Sequence, residues 1–125
     1  MKFELPKWTE EYYPEKFLNL SKLSLKLNVY NETLTKMRAG PLVTKIVTSM
    51  KNKKDNTLNP IERKMFMYVG HDSTVASILA GLNVWDMQIP GYNEMVMIEL
   101  HADENDWNVQ VCTFSISLIY LFYIG

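Results

Sequence analysis

The sequence predicts an α/β fold, and three patterns carry that prediction. Segments 9–29 and 32–52 repeat apolar residues at helical spacing. Met65-Phe-Met-Tyr-Val69 is an unbroken apolar run closed by Gly70, and a third helical pattern follows over 73–82. Residues 94–101 and 107–112 look like strands joined by the acidic turn Asp103-Glu-Asn-Asp106.

In the first helix, Phe17, Leu18, Leu20, Leu23, Leu25 and Leu27 are mixed with Lys16, Lys22 and Lys26. Pro14 belongs in its first turn or just before it, where a missing N–H costs little. In the second, Leu34, Met37, Leu42, Ile46 and Met50 recur near three- and four-residue intervals, and Pro41 starts or kinks the regular part. Residues 52–60 are polar and end in Asn-Pro, which reads as a loop. The run 65–69 is predicted as a strand buried on both faces, the kind found in parallel sheets covered by helices. Val75, Ile78, Leu79 and Leu82 then share one face of the helix 73–82. Residues 83–93, with Trp85, Pro90 and Gly91, form a loop, and 94–112 form a hairpin. The uncharged tail, 113–125, is shorter than the ~20 apolar residues a bilayer-spanning helix takes. A buried strand and a misread gene end both remain open for it.

The 125 residues suit one domain or a piece of one. A formal charge of −1 supplies no field for nucleic acid or an anionic membrane. The lysines at 51, 53 and 54 fit a solvated helix end or loop better than a binding patch. Cys112 is the single cysteine, so neither an internal disulfide nor a thiolate metal cluster can form. The first eight residues hold no apolar run of signal-peptide length. The glycosylation patterns at Asn19 and Asn31 are short enough to arise by chance and decide nothing.

Gly70-His71-Asp72-Ser73-Thr74 carries the chemistry. It lies at the carboxyl end of the predicted strand and opens the next helix, the edge where ligands bind in open α/β sheets. A helix N-terminus offers free N–H groups and partial positive charge, both suited to phosphate. A histidine there can donate hydrogen bonds to phosphoryl oxygens. An adjacent aspartic acid can protonate a leaving alkoxide if it holds its proton. The bland alternative makes Asp72 or Ser73 a helix cap and His71 a turn residue. His101 is the only other histidine, so no metal set forms, and no Gly-x-Ser-x-Gly elbow is present.

Met67-Tyr-Val-Gly-His71-Asp72-Ser-Thr-Val75, then Leu79-Ala-Gly-Leu-Asn-Val-Trp85 and Pro90-Gly-Tyr92, resemble the distal active-site motif of histidine acid phosphatases. The resemblance is to the prostatic, lysosomal and insect-venom branch. Leu5-Pro-Lys-Trp8, Leu20-Ser-Lys-Leu-Ser-Leu25 and Arg38-Ala-Gly-Pro-Leu42 are similar to it in the same order. So is the hairpin from Met97-Ile-Glu-Leu100 to Trp107-Asn-Val-Gln-Val111. The likeness covers roughly residues 5–111, and the Ser-Thr after the His-Asp pair favours acid phosphatases over the related phytases.

The resemblance implies an incomplete three-layer α/β/α sandwich, phosphoglycerate-mutase-like, of the histidine phosphatase superfamily. Residues 1–112 would be the C-terminal part of the domain, with 113–125 a tail outside it. It implies phosphomonoester hydrolysis through a phosphohistidine, with His71 binding phosphate and Asp72 donating a proton. It also implies no cofactor, no metal and no nucleic acid, an extracellular or lysosomal setting, and leaves a homodimer open for the longer parent. The family's nucleophile sits in Arg-His-Gly, which this sequence lacks; its only arginines are Arg38 and Arg63. The expectation is therefore an incomplete enzyme, inactive alone, with a half-built cleft onto which both side chains point. A non-catalytic binding or scaffold module is the alternative, and a tail-anchored membrane protein is a weaker one. Arg38 and His101 read as surface or structural residues, Trp85, Tyr92 and Trp107 as packing anchors, and Cys112 as a core residue or the orphan of a disulfide.

Overall fold

A computed structural model describes residues 4–104, 106–114 and, through their backbone, 119–124. A 3-10 turn at Lys7–Thr9 precedes helices α1 (Glu15–Asn28), α2 (Glu32–Lys54) and α3 (Asp72–Gly81). Strands β1 (Met95–Ala102), β2 (Trp107–Phe114) and β3 (Ile119–Ile124) follow. Helices and a sheet share the chain, as the α/β class requires. Among the described residues no helix is long and apolar enough to cross a membrane.

Helix α1 starts six residues later than the apolar pattern predicts. Pro14 is its N-cap, and proline disfavours the helical region for the residue before it. The chain upstream closes a separate turn, with the Thr9 N–H and hydroxyl both donating to the Pro6 carbonyl at 2.9 and 2.7 Å. Helix α2 starts where predicted, because Asn31 Oδ1 accepts the Leu34 N–H at 2.9 Å. Pro41 lies inside it and the helix runs on to Lys54. Lys51, Lys53 and Lys54 occupy its last turn, where the helix dipole favours cations.

Helix α3 packs on α2 through small residues. A Cβ on Gly81 would lie 2.7 Å from the Ala39 Cβ, so the two helices meet where one residue lacks a side chain. Ala39, Ala76, Ile78 and Leu79 are buried. Fully burying Ile78 and Leu79 contributes about 1.5–3 kcal/mol each.

The sheet is antiparallel in the order β1-β2-β3. Its hairpin is the predicted one, with Ala102 opposite Trp107 and Met95 opposite Phe114. The Asp103 N–H closes the turn on the Asp106 carbonyl at 2.9 Å. The central strand β2 is flanked on both edges, and its Val111, Cys112 and Thr113 are buried. Cys112 is a free thiol in the core. The tail contributes β3, whose Ile124 pairs with Val109 and whose Ile119 pairs with Phe114. Residues 115–118 and 125 of that tail, like 1–3 and 105, lie outside the described residues.

One predicted element is corrected. Residues 65–69 form no strand and are not buried. A parallel strand exists only through its neighbours, and no described segment pairs with this one. Tyr92 is corrected too: it is 95% exposed and anchors nothing among the described residues. Trp85 is half-buried and donates from Nε1 to the Gln88 carbonyl at 3.0 Å. Trp107 is partly exposed at the start of β2, and Arg38 is exposed.

Candidate active site at the start of helix α3

The backbone around His71 is fixed by its neighbours. His71 has extended dihedrals, φ −106° and ψ 172°, and is the N-cap of α3. Its N–H donates to Thr74 Oγ1 at 3.2 Å, and its carbonyl accepts the Thr74 N–H at 2.9 Å. The cap is thus His71 itself and not Asp72 or Ser73, because the threonine hydroxyl reaches back to the residue before the helix. Gly70 is required by the same arrangement. A Cβ there would lie 2.9 Å from Thr74 Cβ and Cγ2 and 3.0 Å from its Oγ1. The Gly70-Thr74 contact therefore sets the direction in which the chain enters the helix.

Asp72 is the first helical residue, and its Oδ1 accepts the Ser73 N–H at 2.6 Å. Both His71 and Asp72 are exposed, at an end of the helix whose dipole favours negative charge. The Asp72 N–H, at the first helical position, has no intrahelical partner and remains available to an anion. One turn on, the Ser77 hydroxyl donates to the Ser73 carbonyl at 2.6 Å and ties down the buried side of α3.

A cavity of about 290 Å³ opens beside Asp72, lined also by Ser21, Ser24 and Leu25 of α1 and by Ile89. The cavity reaches Asp72 and not His71, so the expected single cleft holding both side chains is only partly formed. Ser21 and Ser24 were not singled out as site residues from sequence. Their signal was an i, i+3 pair of hydroxyls within the Leu20–Leu25 segment that carries part of the family resemblance. The larger cavity, about 320 Å³, lies among Lys26, Tyr30, Asn31, Asn83 and Trp85. It touches α3 at Ala80, near the opposite end of the helix, and takes no part in this site. His101 lies on β1 with its Nε2 3.5 Å from Glu99 Oε2, both side chains about half exposed.

Residues 5–111 match the family described as histidine phosphatase superfamily (branch 2). The chain is 31% identical over 113 residues to the prostatic acid phosphatase of Homo sapiens, covering 87% of this chain and 28% of that protein. It is 29% identical over 109 residues to the venom acid phosphatase Acph-1 of Apis mellifera, covering 86% of this chain and 28% of that one. It is 31% identical over 101 residues to the putative acid phosphatase 5 of Caenorhabditis elegans, at 81% and 24%. The chain thus spans under a third of the length of each of these relatives. No solved structure matches it.

Proposed function

The chain belongs to branch 2 of the histidine phosphatase superfamily, and from that premise we propose that it supplies the proton-donor side of an acid phosphatase site. The observation that carries the proposal is the placement of His71 and Asp72 side by side and exposed at the N-terminus of α3. The substrate class is a phosphomonoester, as for the acid phosphatases that the chain resembles.

The chemistry divides between two contributors. A histidine from outside these 125 residues attacks phosphorus and forms a phosphohistidine as the ester P–O bond breaks. His71 donates a hydrogen bond to a phosphoryl oxygen, and the start of α3 adds N–H groups and partial positive charge. Asp72 gives its proton to the departing alkoxide, which leaves as the alcohol. Water then attacks the phosphohistidine, with Asp72 taking the water's proton, and releases inorganic phosphate. No cofactor or metal enters this scheme, and the parent enzyme is proposed to work outside the cell or in the lysosome.

The sequence contains no Arg-His-Gly, and this favours a second reading for the 125 residues taken alone. By themselves they form a non-catalytic module that keeps the phosphate-facing edge.

The test is a leaving-group series in a longer enzyme containing this segment, read by single-turnover kinetics. Asp72→Ala should slow alkyl phosphates far more than nitrophenyl phosphate, because a nitrophenolate leaves without a proton. His71→Ala should slow both alike, on the order of 10²–10³-fold if it resembles loss of one oxyanion donor. Equal leaving-group slopes for wild type and Asp72→Ala would remove Asp72 from the role of general acid.

A further inference from the structure

The two Asn-x-Ser/Thr triplets of the chain sit in different surroundings. Asn19 lies inside α1, and Ser21 belongs to the same helix. Residues two apart on a helix do not face each other, so the Asn19 amide and the Ser21 hydroxyl cannot be engaged from one side. Asn31 stands outside α2 as its N-cap, with extended dihedrals of φ −138° and ψ 170°. Asn31, Glu32 and Thr33 are all exposed. The Asn31 Oδ1 accepts the Leu34 N–H at 2.9 Å, which holds the side chain over the first turn of α2, where Thr33 lies. Among the described residues, Asn31 Nδ2 has no hydrogen-bond partner. The cavity of about 320 Å³ opens beside this turn, lined by Asn31, Tyr30, Lys26, Asn83 and Trp85. Tyr30 is 68% exposed and Trp85 is half-buried, so an aromatic surface borders the asparagine.

We propose that Asn31 is a site of N-glycosylation and that the first sugar of its glycan rests in the cavity beside it. The proposal rests on the extracellular or lysosomal setting already proposed, because the transfer takes place on the secretory route to both. In the transfer, Asn31 Nδ2 attacks C1 of an N-acetylglucosamine carried on a lipid diphosphate. The C1–N bond forms, the C1–O bond to the diphosphate breaks, and the lipid diphosphate leaves. Nδ2 gives one proton to a base of the transferase and keeps the other. Oδ1 takes no part, so the acceptor of the Leu34 N–H survives and α2 keeps its cap. The same side chain thus serves the helix with one atom and offers the other for modification. The cavity suits a sugar, whose ring presents an apolar C–H face to an aromatic side chain and hydroxyls to polar ones. Tyr30 and Trp85 supply the first, and Lys26 and Asn83 the second. The cavity meets α3 at Ala80, far from His71 and Asp72, so a glycan here leaves the phosphate-facing edge open.

The experiment is expression of the full 125-residue chain behind a secretion signal in animal cells. Gel mobility before and after enzymatic release of N-glycans, with peptide mass mapping, reads the outcome. Routing the chain through the secretory pathway tests Asn31 itself, whatever compartment and activity its parent has. Chain retained inside the cells is mapped in the same way as secreted chain, so poor folding does not hide the result. The expected result is one glycan, on Asn31, with Asn19 unmodified. Asn31→Asp and Thr33→Ala should each remove it, and Ser21→Ala should not. Asn31→Asp keeps an acceptor for the Leu34 N–H, so circular dichroism should show α2 intact although the glycan is lost. Releasing the glycan should lower the melting temperature of the wild-type chain, and most of that shift should vanish in Tyr30→Ala. A chain without a glycan at Asn31, or with one at Asn19 in its place, overturns the proposal. A melting temperature unchanged by release of the glycan overturns the seating of the sugar in the cavity.

Discussion

Gly81→Ala should destabilise the chain, and Ala39→Gly should reverse the sign of that effect. The added methyl would stand 2.7 Å from the Ala39 Cβ. Carbon atoms in contact prefer about 3.5–4.0 Å, so α2 and α3 must separate by roughly 1 Å. Overpacking of this kind costs about 1–3 kcal/mol. Replacing a helical glycine by alanine returns about 1 kcal/mol, which leaves a net loss of up to roughly 2 kcal/mol. Ala39→Gly alone loses a buried methyl, about 0.8 kcal/mol, and about 1 kcal/mol of helix propensity. In that background the atom that Gly81→Ala would strike is gone. The substitution then refills the space and recovers propensity, so it should stabilise. The coupling energy across the four proteins should be about 1–3 kcal/mol, within the range for residues in contact. Urea unfolding followed by circular dichroism measures it, and a net loss of 1 kcal/mol should lower the melting temperature by roughly 3–6 °C. If Gly81→Ala has the same sign and size with and without Ala39, the two helices do not meet there, and the packing that aims α3 is wrong.

Three further outcomes are expected. Asn31→Ala should cost about 1 kcal/mol by removing the Oδ1 acceptor of the Leu34 N–H, while Asn31→Asp should cost little; thermal melts of both variants check this. Gly70→Ala should cost about 1–3 kcal/mol and, in a longer enzyme, lower kcat/KM, because its methyl meets Thr74 at 2.9 Å and displaces the hydroxyl that holds the His71 N–H; unfolding curves and steady-state rates read the two effects separately. The 125-residue chain alone should not turn over nitrophenyl phosphate at acidic pH, since proton donation by itself contributes only ~10²–10⁴-fold; robust turnover lost with His71→Ala would show that no outside nucleophile is needed.

The elements read correctly from sequence are those whose determinants are local. Asn31 sets the start of α2 through its own side chain. Gly70 and the apolar face of 75–82 mark α3, and the acidic turn sets the hairpin register. Proline misled the reading at α1: the apolar pattern runs back toward residue 9, but Pro14 forces the helix to begin after it. The strand at 65–69 has non-local determinants. Its composition is that of a strand, and its alternating exposure agrees, yet strand structure is a property of pairs, and composition cannot supply the partner. The tail was ambiguous for the same reason, and its placement as β3 became visible only through its pairing with β2.

The site divides along the same line. What His71 and Asp72 owe to nearby sequence is in place. That includes the extended backbone at the cap, the Thr74 hydroxyl behind it, the glycine that admits it, and the helix dipole in front. What they would owe to distant segments is not. Both side chains are exposed, and the cavity beside Asp72 has walls only from α1 and Ile89. In water, hydrogen bonds from His71 to a phosphoryl group compete with solvent, and the electrostatic advantage that a dry site gives them is missing. On the proposed reading, the rest of the domain would exclude water from the start of α3 and bring the nucleophile within reach of a phosphate held there. A substitution such as Val69→Lys should thus abolish activity in a longer enzyme without touching a reacting atom, and it should do so by preventing assembly. Gel filtration and amide exchange at 65–70 would show that loss, whereas Asp72→Ala should leave assembly intact and change only the dependence on the leaving group.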